Sequence, residues 1–166
     1  MQSNKNSYEI QDTSNPEVFK NCAKIMAHSD PWITLGLNYD DCLKAFDGIG
    51  KEVYTLKNEQ ELIGFVVLQT SGSFKGYIQT LAIDKAFRGI GYGTILLQFC
   101  ENKILQYSPN VFICVSSFNT GALQLYKKSG FLQVGELTNF VKEGFTEILL
   151  RKTVGPINGY KYKNRI

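Results

Sequence analysis

Between an apolar stretch at Tyr77 to Ile83 and a helical pattern of Ile95, Leu96, Phe99, Cys100 and Ile104, the chain carries Arg88-Gly89-Ile90-Gly91-Tyr92-Gly93-Thr94. A strand running through a glycine-rich loop into a helix is a unit of α/β folds, which narrows what the remaining segments can build. The first turn of a helix leaves its backbone N–H groups unpaired, and glycines let an anion approach that backbone closely. The segment is therefore a good diphosphate cradle. A dinucleotide fingerprint would need Gly-x-Gly-x-x-Gly and a later acid, whereas the spacing here is Gly-x-Gly-x-Gly; a nucleoside-triphosphate loop would need Gly-Lys-Ser/Thr, which is absent. A glycine-rich helix start with no ligand stays open on these residues alone.

The other segments fall around this unit without a repeat, low-complexity block or linker. Tyr8 to Gln11 reads as a first strand. Asn15 offers an N-cap and Pro16 the first position of a helix through Val18, Phe19, Cys22, Ile25 and Met26, ending near Ser29-Asp30-Pro31. A second helix is predicted from Asp40 to Phe46, stopped by Gly48. Glu52 to Lys57 and Glu61 to Gln69 form a hairpin across Lys57-Asn58-Glu59-Gln60, and the run Ile63 to Leu68 predicts burial on both faces. Val111 to Val115 is a short apolar strand. Asn119 caps a helix through Ala122, Leu123, Leu125 and Tyr126 that Gly130 stops, and Leu132 to Leu137 with Glu147 to Lys152 make a closing antiparallel hairpin. The expected fold is α/β: a single mixed, mostly antiparallel twisted sheet of about seven strands with helices on both faces.

With 166 residues and 43% hydrophobic composition, the chain suits one domain, residues 1–154, followed by a basic tail, 155–166. No apolar run approaches the ~20 residues that span a bilayer, and Met1 to Asn6 lacks a secretory signal's apolar stretch, so the expectation is a soluble cytoplasmic protein without membrane contact. Cys22, Cys42, Cys100 and Cys114 lie far apart among apolar neighbours and read as reduced core thiols; with His28 the one histidine, no metal site is expected. Residues 151–166 hold five basic residues and no acid. Taking these from the total of 18 leaves 13 basic against 15 acidic residues, so the body is mildly acidic, about −2. That suits a cationic small molecule or basic peptide better than nucleic acid. The tail reads as a solvated end.

Arg88-x-x-Gly91-x-Gly93 after Leu81-Ala82-Ile83 resembles the pyrophosphate loop of GNAT N-acetyltransferases, and Asn119, Ala122, Leu125-Tyr126 and Gly130-Phe131 are similar to the same family's second cofactor segment. The element order from Tyr8 to Lys152 also resembles this fold. The resemblance implies a sheet that splays between the strands at Tyr77 to Ile83 and Val111 to Val115 to admit the pantetheine arm of acetyl-CoA. Leu81, Ala82 and Ile83 would then line the arm, the first and last bonding it through their main chain. N–H groups from Gly89, Ile90, Gly91, Tyr92, Gly93 and Thr94 would hold the diphosphate, with Arg88 either adding charge there or merely solvated, and Asn119 and Tyr126 completing the cofactor set.

The activity so implied is acetyl transfer from acetyl-CoA to a primary amine of a small molecule, peptide N-terminus or lysine, by direct attack in a ternary complex. Tyr126 matches the family's acid that protonates the leaving sulfur, or else packs on the cofactor. Some relatives carry a glutamate as base where this chain has Cys114, a poor substitute. Glu136, Glu143, Asp30 or ordered waters remain as proton acceptors. Acceptor choice falls to the segments around Trp32 and Phe140, with Trp32 either walling the pocket or covering the core. A non-catalytic acyl-CoA-binding or sensing module is the alternative, and a homodimer stays open.

Overall fold

The structure is a computed structural model that describes residues 8–59 and 61–163. Thirteen short segments build it. Strand β1 (Glu9–Asp12) leads to helices α1 (Pro16–Ala27) and α2 (Tyr39–Leu43), the latter continued by a 3-10 turn at Lys44–Phe46. Strands β2 (Lys51–Asn58), β3 (Glu61–Gln69) and β4 (Tyr77–Ile83) follow, with a 3-10 turn at Lys85–Phe87 before α3 (Tyr92–Ile104). Then come β5 (Asn110–Ser116), α4 (Thr120–Lys128), β6 (Leu132–Thr138) and β7 (Thr146–Thr153). The strands form one mixed sheet in the order β1-β2-β3-β4-β5-β7-β6, antiparallel throughout except where β4 meets β5.

Local chemistry explains the boundaries. Asn15 caps α1, accepting from the Glu17 N–H at 2.9 Å, and Pro16 occupies a first-turn position where no N–H is missed. His28 closes the same helix, its Nδ1 2.7 Å from the Lys24 carbonyl. Asn38 and Asp41 form a reciprocal capping box on α2. The predicted helix from Asp40 to Phe46 tightens into 3-10 geometry from Lys44 onward.

Two cores lie on opposite faces of the sheet. On one, Leu96, Leu97, Cys100 and Ile104 of α3 and Tyr126 of α4 pack on Tyr54, Leu56, Val66, Leu68, Ile113 and Val115. On the other, Cys22, Ala23 and Met26 of α1, Cys42 of α2 and Phe46 pack on Val53, Phe65 and Val67. Strand β3 is therefore buried on both faces, as its apolar run requires, and each buried large side chain contributes about 1.5–3 kcal/mol. Gly64 is needed there: a Cβ would stand 2.5 Å from the Ala82 carbonyl oxygen and 2.6 Å from Ile83 Cδ1.

Two details depart from the sequence reading. Cys22, Cys42 and Cys100 are free and buried, but Cys114 is only half-buried. The segment after Thr153 is not wholly solvated, since Tyr160 donates from its hydroxyl to the Leu105 carbonyl at 2.6 Å and ties residues 155–163 to the end of α3. The hairpin turn at Gln60, the leader segment Met1 to Asn6 and the tail residue Arg165 lie outside the described residues. No helix among the described residues is long and apolar enough to cross a membrane.

Candidate functional site

Pairing between the parallel neighbours β4 and β5 is confined to Tyr77↔Phe112 and Ile78↔Ile113. Beyond that point the strands part. Thr80–Ile83 stays paired only with β3, and Cys114–Ser116 only with β7. A bulge between Val67 and Leu68 on β3 leaves Gln79 as the extra residue of β4, and its side-chain amide donates to the Ala45 carbonyl at 2.9 Å. The bulge switches the alternation of β4, so that Ile78 before it and Leu81 and Ile83 after it all face the α3 side. Unpaired strand edge carries N–H and C=O groups free to bond an extended ligand.

The glycine-rich loop opens onto this parting. Gly89 and Gly91 hold φ of 79° and 98°, the left-handed region that an L side chain enters only with strain, and a Cβ at either would meet nothing within 4 Å. The constraint is backbone conformation, with space left in front of it. Gly91 is the N-cap of α3 and supplies no side-chain acceptor; the first ladder bond runs from the Ile95 N–H to the Gly91 carbonyl, so the first-turn amides of Tyr92, Gly93 and Thr94 have no ladder partner. Arg88 donates from Nε to the Ile83 carbonyl at 2.9 Å, clipping the loop to the end of β4.

A groove of about 750 Å³ runs along these elements. It is lined by Leu81, Ala82, Ile83, Arg88, Gly89, Gly91, Gly93 and Thr94 on one side and by Asn119, Ala122, Leu125 and Tyr126 of α4 on the other, with Trp32 at its end. Asn119 caps α4, accepting from the Ala122 N–H at 3.3 Å. Two residues named with the loop do not reach the groove lining: Ile90 is 68% exposed, and Tyr92 packs edge-on against Phe87 and Tyr8.

A second, smaller cavity of about 140 Å³ lies on the opposite side of the parting and shares Pro31, Trp32, Leu81, Asn119 and Tyr126 with the groove. Tyr126 thus stands at the junction. Burial pushes its phenol well above the usual tyrosine range, so it keeps its proton. The outer wall is Trp32 from the α1–α2 connection with Phe140 and Val141 from the β6–β7 connection, both of the latter solvent-exposed at the mouth. Trp32 lines the cavity and packs against the α1–α2 core as well. The Phe140 loop is held by Asn139, whose side chain accepts from the Gly144 N–H at 2.8 Å.

The inner surface holds the group that sequence reasoning missed. Glu147 of β7 is 6% exposed, lines the small cavity and accepts from the Ser116 hydroxyl at 2.5 Å. Burial raises its carboxyl above the ordinary value, opposed by that hydrogen bond. Of the carboxylates named from sequence, none lines this cavity. Glu136 is exposed on β6 beside Gln133, Glu143 is exposed in the β6–β7 connection, and Asp30, which accepts from the Thr34 hydroxyl at 2.6 Å, lines the adjoining groove. A lone acid opening an apolar strand, Glu147-Ile148-Leu149-Leu150, was the available signal.

A seven-stranded mixed sheet, parted between two parallel strands and flanked by helices on both faces, is the acyl-CoA N-acyltransferase fold. The chain belongs to the acetyltransferase (GNAT) family, whose model matches residues 10–131. An N-alpha-acetyltransferase of Sulfolobus acidocaldarius is 31% identical over 108 residues, 57% of this chain and 64% of that protein, so the chain spans a little under two thirds of this relative. Among solved structures, a GNAT acetyltransferase of Elizabethkingia anophelis with acetyl-CoA bound superposes with a TM-score of 0.66 at 23% identity, covering 90% of this chain and 100% of that one. The Escherichia coli ribosomal-protein-S18-alanine N-acetyltransferase superposes at 0.69 and 16% identity, covering 93% and 99%.

Proposed function

We propose that this chain transfers the acetyl group of acetyl-CoA to a primary amine, by direct attack within a ternary complex. The observation that carries the reading is the parting of β4 from β5 directly beside the uncapped first turn of α3. Acetyl-CoA is extended, with a diphosphate at one place and amide groups along its arm, and the groove offers donors and acceptors to suit. Amides of Gly89 to Thr94 would take the diphosphate, the open space before Gly89 and Gly91 leaves room for it, and the edge at Leu81 with the N–H of Ile83, whose carbonyl already accepts from Arg88, would take the arm. Arg88 would add charge there only with guanidinium nitrogens other than the Nε that bonds Ile83.

When bound, acetyl-CoA supplies an activated acetyl thioester. Tyr126 keeps the proton on its Oη at neutral pH and lines both cavities, which suits it to protonate a leaving thiolate. Trp32 and Phe140 would orient the acceptor and exclude water.

The relative named as an N-alpha-acetyltransferase supports a peptide N-terminus as acceptor. Chemistry favours the same choice. Deprotonating a lysine amine of pKa ~10.4 at pH 7 costs about 4–5 kcal/mol, against about 1 kcal/mol for an α-amine near 7.7–8.0. The test is thiol release from acetyl-CoA with peptides bearing a free N-terminus, N-blocked lysine peptides, polyamines and aminoglycosides. Fastest turnover is expected with the free N-termini; absence of thiol release with every amine overturns the proposal.

A further inference from the structure

We infer that Glu147 is the general base of this reaction, receiving the proton of the attacking amine on its Oε while Ser116 holds the carboxylate in place. The inference rests on the acetyl-transfer reading above. Its ground is the register of the sheet. Strand β7 pairs with β5 as Cys114↔Leu149 and Ser116↔Glu147, so a carboxylate at Glu147 enters the cavity from the neighbouring strand, beside the position where Cys114 offers no useful base.

Within the small cavity Glu147 has no competitor, the nearest other candidate, Asp30, lining the adjoining groove with an oxygen engaged by Thr34. Facing Glu147 are Ser116 and Cys114 from β5, Tyr77 from β4 and Tyr126 from α4. Burial raises the Cys114 thiol and the two phenols, so these three stay protonated and neutral through neutral pH. Among the described residues lining this cavity there is no other carboxylate and no lysine, arginine or histidine. Lys142 of the β6–β7 connection lies over the Phe145 ring instead. A buried carboxylate without a cation is held for a reason other than an ion pair, and a cationic or proton-bearing guest meets that need.

The proton balance closes. The amine nitrogen bonds to the acetyl carbon, the carbon–sulfur bond breaks, the amine proton passes to Glu147 and the leaving sulfur takes one from Tyr126. Exchange with solvent then returns both groups to their starting states. A carboxyl raised towards the operating pH is a better base than an ordinary glutamate, and a base of this kind contributes about 10²–10⁴-fold.

The experiment uses the full chain as wild type, Glu147→Gln and Ser116→Ala. Coenzyme A binding is measured by calorimetry, and kcat and KM by thiol release with a short peptide bearing a free N-terminus, from about pH 5 to 9. Glu147→Gln should bind coenzyme A as wild type does and lose about 10²-fold or more in kcat, and its residual kcat at saturating peptide should lack the rising acidic limb, the free peptide amine titrating in kcat/KM instead. Ser116→Ala removes a hydrogen bond that favours the charged form, so its acidic limb should move to higher pH. A Glu147→Gln variant that raises only KM and keeps the acidic limb overturns the inference and leaves acetyl transfer standing. Wild type that fails to bind coenzyme A or to release thiol overturns the acetyl-transfer reading itself.

Discussion

Tyr126 is 5% exposed, packs in the α3–α4 core and borders both the groove and the small cavity. Tyr126→Phe keeps the ring against Phe131 and removes only the hydroxyl, so kcat should fall about 10²-fold or more while coenzyme A affinity measured by calorimetry stays within a factor of two or so. Glu147 makes a stability prediction of the opposite kind. A carboxyl whose folded pKa is raised binds its proton more tightly in the native state, so folding stability is lost as pH rises from the unfolded value through the folded one. Glu147→Gln lacks that penalty. Its Tm should equal or exceed that of wild type at neutral pH, with the gap closing in acid; a variant less stable than wild type at pH 7 would show that Glu147 carries an uncounted stabilising contact.

At the scale of elements, the loop and α3 form a unit whose backbone is specified by two glycines. Gly91→Ala forces a side chain into φ of 98°, which costs about 1–2 kcal/mol. For a chain of this size that is about 2–8 °C in Tm, and coenzyme A binding should weaken as the cap geometry relaxes. A Tm unchanged from wild type would contradict the strain. These elements were the legible part of the sequence, because their signals are local. The bounds of β3 and β4 follow from apolar runs between turn residues, and α4 begins at Thr120 after the predicted Asn119 cap. What stayed hidden depends on pairing. The bulge at Gln79 reverses which residues of β4 face α3, and Glu147 reaches the cavity only because β7 lies against β5 in one register. Periodicity within a strand says which residues alternate; it does not say which face a distant strand will turn towards a site.

Across the whole molecule, the parting of β4 from β5 joins two spaces that would otherwise be separate faces of a sheet, a groove on the α3–α4 side and a cavity beneath Trp32 and Phe140. Coenzyme A should therefore slow amide hydrogen exchange at residues 89–94 and along Leu81 to Ile83 and leave the β1–β2 edge unchanged, which mass spectrometry of exchanged peptides can read. Uniform protection, or none, would point to binding elsewhere. A crystal structure with coenzyme A bound decides whether that parting is the binding cleft. The diphosphate should lie on the amides of Gly89 to Thr94 and the pantetheine arm between β4 and β5, its sulfur beside Tyr126. Coenzyme A bound elsewhere, or β4 and β5 paired along their full length, would show that the parting is not the cleft.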